Sequence, residues 1–504
     1  MHPAGELCAK NNYNGGQAYE AELRPVRLAR LFVFAKPILL PTNLMKKKVQ
    51  NWRDKFYSPL VLPVYYFAGI IAIGTVLLQS PLCEGAIEIS WLDALFTSTS
   101  ATCVTGLIVV DTPTSFSIYG HIVILILIQL GGLGIMTFTS LIFILWRKQI
   151  SLTDRIAVGD SLMNDRSFNF VRFLLIIVAG TLTFEAIGAV LLYVFTGGEI
   201  GPWSAVFHAV SAFCNAGFSL FSNSLENYRG HVGVNMVVML LIFIGGLGFS
   251  VLIEVGRFIK RAYQQKTIFG LKHRWSWQAS TVLQTSFLLV LFGWVAMWFS
   301  ELSNGMGGIS VWERSLLSLF QSVSGRTAGF NTIDVEQMTN VSLLILIFLM
   351  FVGGSPGSCA GGIKTTTFRI LVAFIISRLR GRQQTVFHGY AINSEDLNKA
   401  LTLVFFGVFT VLTATIFLSI TEQANQPHEL MRGKFLDILF EVVSAFGTVG
   451  LSTGVTETLS TMGKCIIIFL MFLGRLGPIL FLSILIEWQT KPRFLYPENR
   501  LMVG

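Results

Sequence analysis

Phe96-Thr-Ser-Thr-Ser-Ala-Thr-Cys-Val-Thr-Gly-Leu107 (FTSTSATCVTGL) returns in this chain in three further versions: FHAVSAFCNAGF (Phe207–Phe218), FQSVSGRTAGF (Phe320–Phe330) and FEVVSAFGTVGL (Phe440–Leu451). Each ends in a glycine that follows a run of small or hydroxyl-bearing residues, and Gly106, Gly217, Gly329 and Gly450 are spaced by 111, 112 and 121 residues. Four copies of a glycine-ended loop in one apolar chain predict four walls around one axis. Backbone carbonyls from four such loops can replace the water around an ion. Glycine suits the position because it reaches backbone angles that aim carbonyls inward, which a residue with a Cβ reaches only at a cost.

Working outward, the 504 residues are 53% hydrophobic and only 13% charged, with 42 phenylalanines. A water-soluble chain of this size needs more surface charge, so a polytopic membrane protein is expected. Eight apolar runs approach or reach the roughly 20 residues that a spanning helix needs: Leu60–Leu78, Ile122–Trp146, Phe173–Phe195, Val234–Val255, Leu283–Phe299, Leu343–Val352 with its continuation, Leu401–Ile420 and Cys465–Ile486. That is two for each loop. The six cysteines are scattered without a CxxC pair, which argues against a disulfide framework or a zinc site.

Of the 37 Lys and Arg residues, 29 fall in the first 56 residues, in three linkers (Arg147–Arg172, Arg257–Arg274, Arg369–Lys399) or after Glu487, and the segments holding the glycine loops carry five. By the positive-inside rule, both termini and the linkers are cytoplasmic and the loops enter from outside. The net charge of +9 is therefore a topology signal rather than a nucleic-acid patch. Four short helices are predicted ahead of the glycines, at Trp91–Ala101, Trp203–Phe213, Trp312–Ser324 and Phe435–Phe446. At about 1.5 Å per residue they reach only halfway through the hydrocarbon. Ser90 and Ser310 stand at N-cap positions, Pro202 in a first turn, and Trp91, Trp203 and Trp312 suit the outer interface. The negative end of each short helix then points at the membrane centre, which favours a cation there.

The resulting fold is an all-α membrane protein of four helix–pore-helix–loop–helix repeats, at residues 57–148, 166–263, 278–382 and 397–490. A basic tail occupies 1–56 and a short tail 491–504. The second span of each repeat carries a glycine-rich break: QLGGLGIMTF (Gln129–Phe138), FIGGLGFSVL (Phe243–Leu252), FVGGSPGSCAGGIKTTT (Phe351–Thr367) and FLGRLGPILF (Phe472–Phe481). In the first two, the glycines serve close packing. The third cannot continue a helix, because Gly353, Gly354, Pro356, Gly357, Gly361 and Gly362 crowd into ten residues, and Ser355, Ser358 and Lys364 make it polar. Irregular polar backbone at membrane depth should line a water-filled path, and a flexible loop there would act as a gate. GSCAGGIKT also approaches the phosphate-loop pattern, but Ile363 separates Gly362 from Lys364 and no βαβ unit follows. Arg475 and Glu185 are ionisable groups within spans and so functional candidates, with a buried hydrogen bond to a pore helix or linker as the alternative for Glu185.

These motifs together resemble the Trk/Ktr/HKT superfamily of potassium transporters from about Tyr57 onward, and within it the bacterial Ktr membrane subunit. The resemblance implies a pseudo-fourfold ring in each subunit, assembly as a homodimer, and potassium uptake across the plasma (bacterial inner) membrane, often with Na+ required. No covalent cofactor is implied, and control comes from a cytoplasmic RCK-type nucleotide-binding ring. The family's filter positions fall on Thr102, Cys103, Val104, Thr105 and Gly106; Phe213, Cys214, Asn215, Ala216 and Gly217; Arg326, Thr327, Ala328 and Gly329; and Gly447, Thr448, Val449 and Gly450. Its gating loop falls on Gly353–Thr367 and its pore-blocking arginine on Arg475. Plant relatives that prefer sodium carry serine at the first filter glycine, so Gly106 favours K+. The 56-residue tail exceeds the family's short one and contains no span. Its Lys46–Lys55 stretch suits anionic lipid, a partner or solvent. The rival readings are a Trk-like or sodium-permeable transporter and a membrane-embedded ATPase. No nucleophile–base set that would make the chain an enzyme is present.

Overall fold

Each copy of the repeated motif sits on and just beyond the C-terminal end of a short helix that lies between two others in the chain. The computed structural model describes residues 62–133, 170–265, 275–302, 310–423, 427 and 433–488; the tails at 1–56 and 491–504, residues 134–138 of the first glycine-rich break and the first basic linker up to 169 lie outside them. All the described residues belong to one compact unit, Tyr57–Gly504. The first segment has helices Leu62–Leu78, Trp91–Thr102 and Ile118–Gly132, and the second has Phe170–Phe195, Pro202–Cys214, Val232–Leu247 and Phe249–Gln265. In the third, Trp277–Ser300, Val311–Ser324 and Asn340–Phe351 are followed by an irregular stretch and then Thr365–Leu379. The fourth has Ser394–Gln423, Lys434–Gly447 and Thr461–Trp488. A small hairpin pairing Val386–Phe387 with Tyr390–Ala391 separates the last two segments.

The short helices start where capping chemistry places them. Ser90 and Ser310 accept hydrogen bonds from the backbone N–H groups of Asp93 and Glu313, and Pro202 occupies the first turn after Gly201. Burial is inverted relative to a soluble protein. Ser98, Ser211, Gln321, Ser322, Glu441 and Ser444 are buried, whereas Phe287, Phe405 and Phe409 face outward, Phe405 with 72% of its surface exposed. Contiguous outward apolar surface of this kind is stable against lipid, not water.

Among the described residues, Leu175–Phe195, Trp277–Ser300 and Ser394–Glu422 are each long and apolar enough to cross a membrane. The bent pair Val232–Leu247 and Phe249–Arg261 counts as a fourth if taken as one span. The described parts of the eight predicted apolar runs fall on helices almost throughout. One expectation about the breaks is corrected and another is extended. In the second segment Gly245 packs closely on the Phe213 carbonyl, and the chain also bends by 110° at Gly248, whose φ of +88° only glycine holds cheaply. In the fourth, the helix Thr461–Trp488 runs without interruption through the Gly474–Pro478 stretch.

Candidate ion path

The four glycines meet in cyclic order. A Cβ on Gly217 would lie 2.8 Å from the Ala328 carbonyl oxygen and 3.0 Å from Gly329 Cα; on Gly329 it would lie 2.5 Å from the Val449 oxygen and 3.2 Å from Gly450 Cα. On Gly450 it would press on the Thr105 oxygen, 2.9 Å from Gly106 Cα, and on Gly106 it would press on the Ala216 oxygen, 3.1 Å from Gly217 Cα. The backbones are therefore in mutual contact around a closed ring that no side chain could enter. All four glycines have φ between +71° and +95°.

The residue two before each glycine is left-handed as well: Val104, Asn215, Thr327 and Thr448 have φ of 56°, 60°, 73° and 49°. Positive φ is uncommon for a non-glycine residue and costly for a β-branched one. Left-handed angles at every second residue turn successive peptide groups to the same side, and strain of this kind persists only where surrounding structure fixes it. Here the helix behind each loop does so. The backbone N–H groups of Thr105, Ala216 and Val449 donate to the carbonyls of Ser100, Ser211 and Ser444 at 2.7–2.9 Å. The Ser100 and Ser444 hydroxyls accept from Gly106 N and Gly450 N at 3.1 Å, while the Ser211 and Ser324 hydroxyls donate to the Phe218 and Phe330 carbonyls. Thr102, Phe213, Cys214 and Gly447, expected within the filter, belong to the last turns of the short helices.

Outside the glycines opens a cavity of about 220 Å³, whose wall includes Gly106, Gly217, Gly329 and Gly450. Asp111, Glu226, Asp334, Glu336 and Glu457 also line it and, among the described residues, no Lys or Arg does, so it carries a field that concentrates cations. Burial, reinforced by neighbouring Asp334 and opposed by Arg229, holds the Glu226 carboxyl above the usual carboxylate range.

Beneath the ring lies the irregular third stretch. It ends sooner than the predicted Gly353–Thr367, since Thr365, Thr366 and Thr367 form the first turn of a helix. The loop is docked on the other three segments. Ser355 N and Cys359 N donate to the carbonyls of Gly246 and Gly245 at 3.1 and 3.3 Å, and Phe249 N donates to the Gly357 carbonyl at 3.1 Å. The Cys359 thiol donates to the Gly132 carbonyl at 2.9 Å, and Gly361 packs directly on Thr448 and Gly447. A Cβ on Gly248 would lie 2.5 Å from the Pro356 carbonyl, so the bend and the loop fit one another.

Arg475 is buried in this assembly. Its guanidinium donates to the Cys359 carbonyl of the loop and, at 2.6 Å, to the Gly131 carbonyl. Lys364 turns its ammonium back to the Ala360 carbonyl at 2.8 Å. The Arg326 side chain leaves the ring and donates to Ser286 and Gly353 oxygens at 3.3–3.4 Å, so only its backbone belongs to the loop. Glu185 accepts from Gln129 Nε2 at 3.2 Å and from the Cys214 thiol at the end of the second short helix, as the hydrogen-bonding alternative expected. Sequence reading missed Glu441 and His208, both buried one position after the opening phenylalanine of their motif copies. An ionisable residue at that position was the available signal.

Residues 56–489 match TrkH, the cation transport protein family. This chain is a TrkH-family member. The family consists of multi-pass membrane ion transporters, not enzymes, so the near-phosphate-loop ATPase reading is set aside. The TrkH-family chain is similar to the Ktr system potassium uptake protein B of Bacillus subtilis, at 38% identity covering 92% of this chain and all of that one. It is similar to the potassium/sodium uptake protein NtpJ of Enterococcus hirae, at 35% identity over 92% of this chain and all of that one. Among solved structures it resembles the potassium transporter TrkH from Vibrio parahaemolyticus, with a TM-score of 0.65 at 18% identity, covering 86% of each chain. That likeness establishes a TrkH-like helical fold.

Proposed function

We propose that this chain takes up potassium across the plasma membrane along the axis of the glycine ring. The observation that carries the reading is the closed ring of four loops with left-handed backbone at every second residue. That backbone can present carbonyls to a dehydrated cation. The four segments are read as a pseudo-fourfold set of repeats with eight spans and both termini cytoplasmic, in keeping with the basic residues of the linkers and tails. Cys103–Gly106, Asn215–Gly217, Arg326–Gly329 and Thr448–Gly450 form the filter walls, and selection rests on backbone rather than on side chains. The loop Gly353–Lys364 and Arg475 obstruct the path below. The loop is irregular and spans the other three segments, and the arginine holds it by its Cys359 carbonyl.

The acidic outer mouth supports cation entry from outside. The names of the relatives, a Ktr system protein and a potassium/sodium uptake protein, support potassium as cargo, a sodium requirement and a partner subunit, which is read here as a cytoplasmic RCK-type ring acting on a homodimer. A sodium-permeable transporter is the second reading, favoured by the potassium/sodium relative. Uptake into liposomes, with potassium and sodium varied separately and the cytoplasmic partner present or absent, tests both. Potassium uptake that sodium stimulates and does not replace is expected, and equal sodium and potassium flux would establish the second reading. Gly450→Ser should lower the potassium-to-sodium ratio about tenfold or more while the amount of protein holds, because an added Cβ and hydroxyl displace the Thr105 carbonyl.

A further inference from the structure

Two of the four loops are held from behind in the same way. In the fourth short helix, Glu441 is completely buried. Its Oε1 accepts from the Ser452 hydroxyl and, at 2.9 Å, from Thr453 N; its Oε2 accepts from the Thr456 hydroxyl at 2.6 Å. In the second, His208 is equally enclosed, and its Nε2 takes the Ser219 hydroxyl at 2.9 Å and Leu220 N at 3.4 Å. The proton then sits on Nδ1, which donates to the Ser204 carbonyl at 2.7 Å.

The correspondence is residue for residue. The acceptor follows the opening phenylalanine, the hydroxyl donor lies two residues past the glycine, and the backbone donor lies three past it. Ser219 and Ser452 both line the outer cavity. In the first and third copies the residue after the phenylalanine is Thr97 or Gln321. The Thr97 hydroxyl and both amide atoms of Gln321 are buried with no hydrogen-bond partner among the described residues. Because the ring runs first, second, third, fourth, the two held loops face each other across the axis.

We propose that Glu441 and His208 are positioning residues for ion selection, each fixing the outward limb of its filter loop so that the carbonyls before the glycine keep their aim. The assignment rests on the filter reading above. A carboxylate is suited to the fourth position because three donors converge on it and both of its oxygens only accept. Removing it takes the acceptor from the buried Thr453 N–H and leaves the buried Thr456 hydroxyl only Ser452 at 3.3 Å, and a buried donor without its acceptor is costly. The limb then rearranges to find partners, and Gly450 and Val449 move with it.

The test is competitive potassium and sodium uptake into liposomes, read as the flux ratio and as KM and maximal rate separately. Glu441→Ala should lower the potassium-to-sodium ratio about tenfold, the factor that 1.4 kcal/mol represents, and should raise KM for potassium. Glu441→Gln, which keeps one acceptor oxygen toward Ser452 and Thr453, should restore most of the ratio. Thr97→Val, at the corresponding position of an unheld loop, should leave the ratio unchanged. If Glu441→Ala does not accumulate, Ser452→Ala decides, since it cuts the same contact from the cavity side; a fall of about threefold supports the proposal, and a wild-type ratio overturns it. A wild-type ratio in Glu441→Ala beside a collapsed ratio in Gly450→Ser would overturn the positioning role and leave the filter standing. Wild-type ratios in both would remove the filter itself.

Discussion

At the level of the glycines the four segments are near copies, and directly beneath them they are four different objects. Above, the same two left-handed residues recur in every wall. Below, the first segment ends a helix at Gly132, the second bends at Gly248, the third opens into a loop, and the fourth runs straight through as Thr461–Trp488. Contact between like backbones around an axis demands likeness, because each carbonyl must occupy the equivalent place. A single obstruction needs only one wall to differ, and the others must then be shaped to receive it. Gly246 and Gly245 supply bare carbonyls to Ser355 N and Cys359 N, and Gly131 and Gly132 supply theirs to Arg475 and the Cys359 thiol. The asymmetry therefore belongs to the whole lower level, not to the third segment alone.

The largest expected effect breaks the lower level while sparing the upper. Arg475→Ala, or shortening of the loop between Gly354 and Gly361, should raise potassium flux about tenfold or more with an unchanged potassium-to-sodium ratio. A buried unit charge opposes a passing cation by a few kcal/mol at about 4 Å and an effective dielectric near 20. Because the arginine also grips the loop, the double change should add little to either single one. Additive gains in liposome flux would show two independent barriers, and a shifted ratio would show that the two levels are not separable.

A smaller effect probes the join between the levels. A Cβ on Gly245 would run into the Phe213 carbonyl, whereas one on Gly180, in an outer helix, meets nothing within 4 Å. Gly245→Ala should therefore destabilise the protein by about 1–3 kcal/mol. Gly180→Ala should be neutral or stabilising by up to about 1 kcal/mol. Thermal unfolding in detergent measures both, and equal midpoints would mean that the join is loose.

The smallest effect concerns the outer mouth. The Glu226 carboxyl is held above its ordinary range, so it takes up a proton before an ordinary glutamate does as external pH falls. The cavity then loses negative charge, and uptake at low potassium should decline by up to about twofold, less at high salt where the field is screened. Glu226→Gln should show that reduced uptake already at neutral pH and lack the earliest part of the acid response. A response unchanged in Glu226→Gln would assign it to another carboxylate.

Much of this was legible in the chain. Four spaced glycines, Ser90 and Ser310 as caps, and Pro202 after Gly201 fixed the short helices to within a residue or two, because caps and periodicity are local physics. The crowd of glycines from Gly353 to Gly362 marked the irregular stretch for the same reason. The left-handed angles at Val104, Thr327 and Thr448 were hidden, since β-branched residues argue against them; only Asn215 is tolerant of that region. Hidden too was the Gly248 bend, because GGLG reads alike in the first and second segments while the partner that demands the bend, the Pro356 carbonyl, lies over a hundred residues away. The stretch Gly474–Pro478 misled in the opposite sense, with glycine and proline tolerated in an unbroken membrane helix. Glu441 and His208 carried a signal, an ionisable residue after the opening phenylalanine, but their role as acceptors shows only in the donors that the fold brings to them.

The ion pair between Lys464 and Asp93, with Nζ 2.7 Å from Oδ1, joins residues 371 positions apart. Together with Arg475 on Gly131, it makes the end of the chain the keystone for its beginning. During synthesis, three segments are in the membrane with their short helices and strained loops before the fourth arrives to close the circle. Until then the Thr105 carbonyl faces no Gly450, and Asp93 has no cation. Ring closure is thus the late, high-contact-order step of assembly. A chain stopped before Thr461 would insert its earlier helices yet present an open polar cleft to lipid, a ready substrate for membrane quality-control proteolysis.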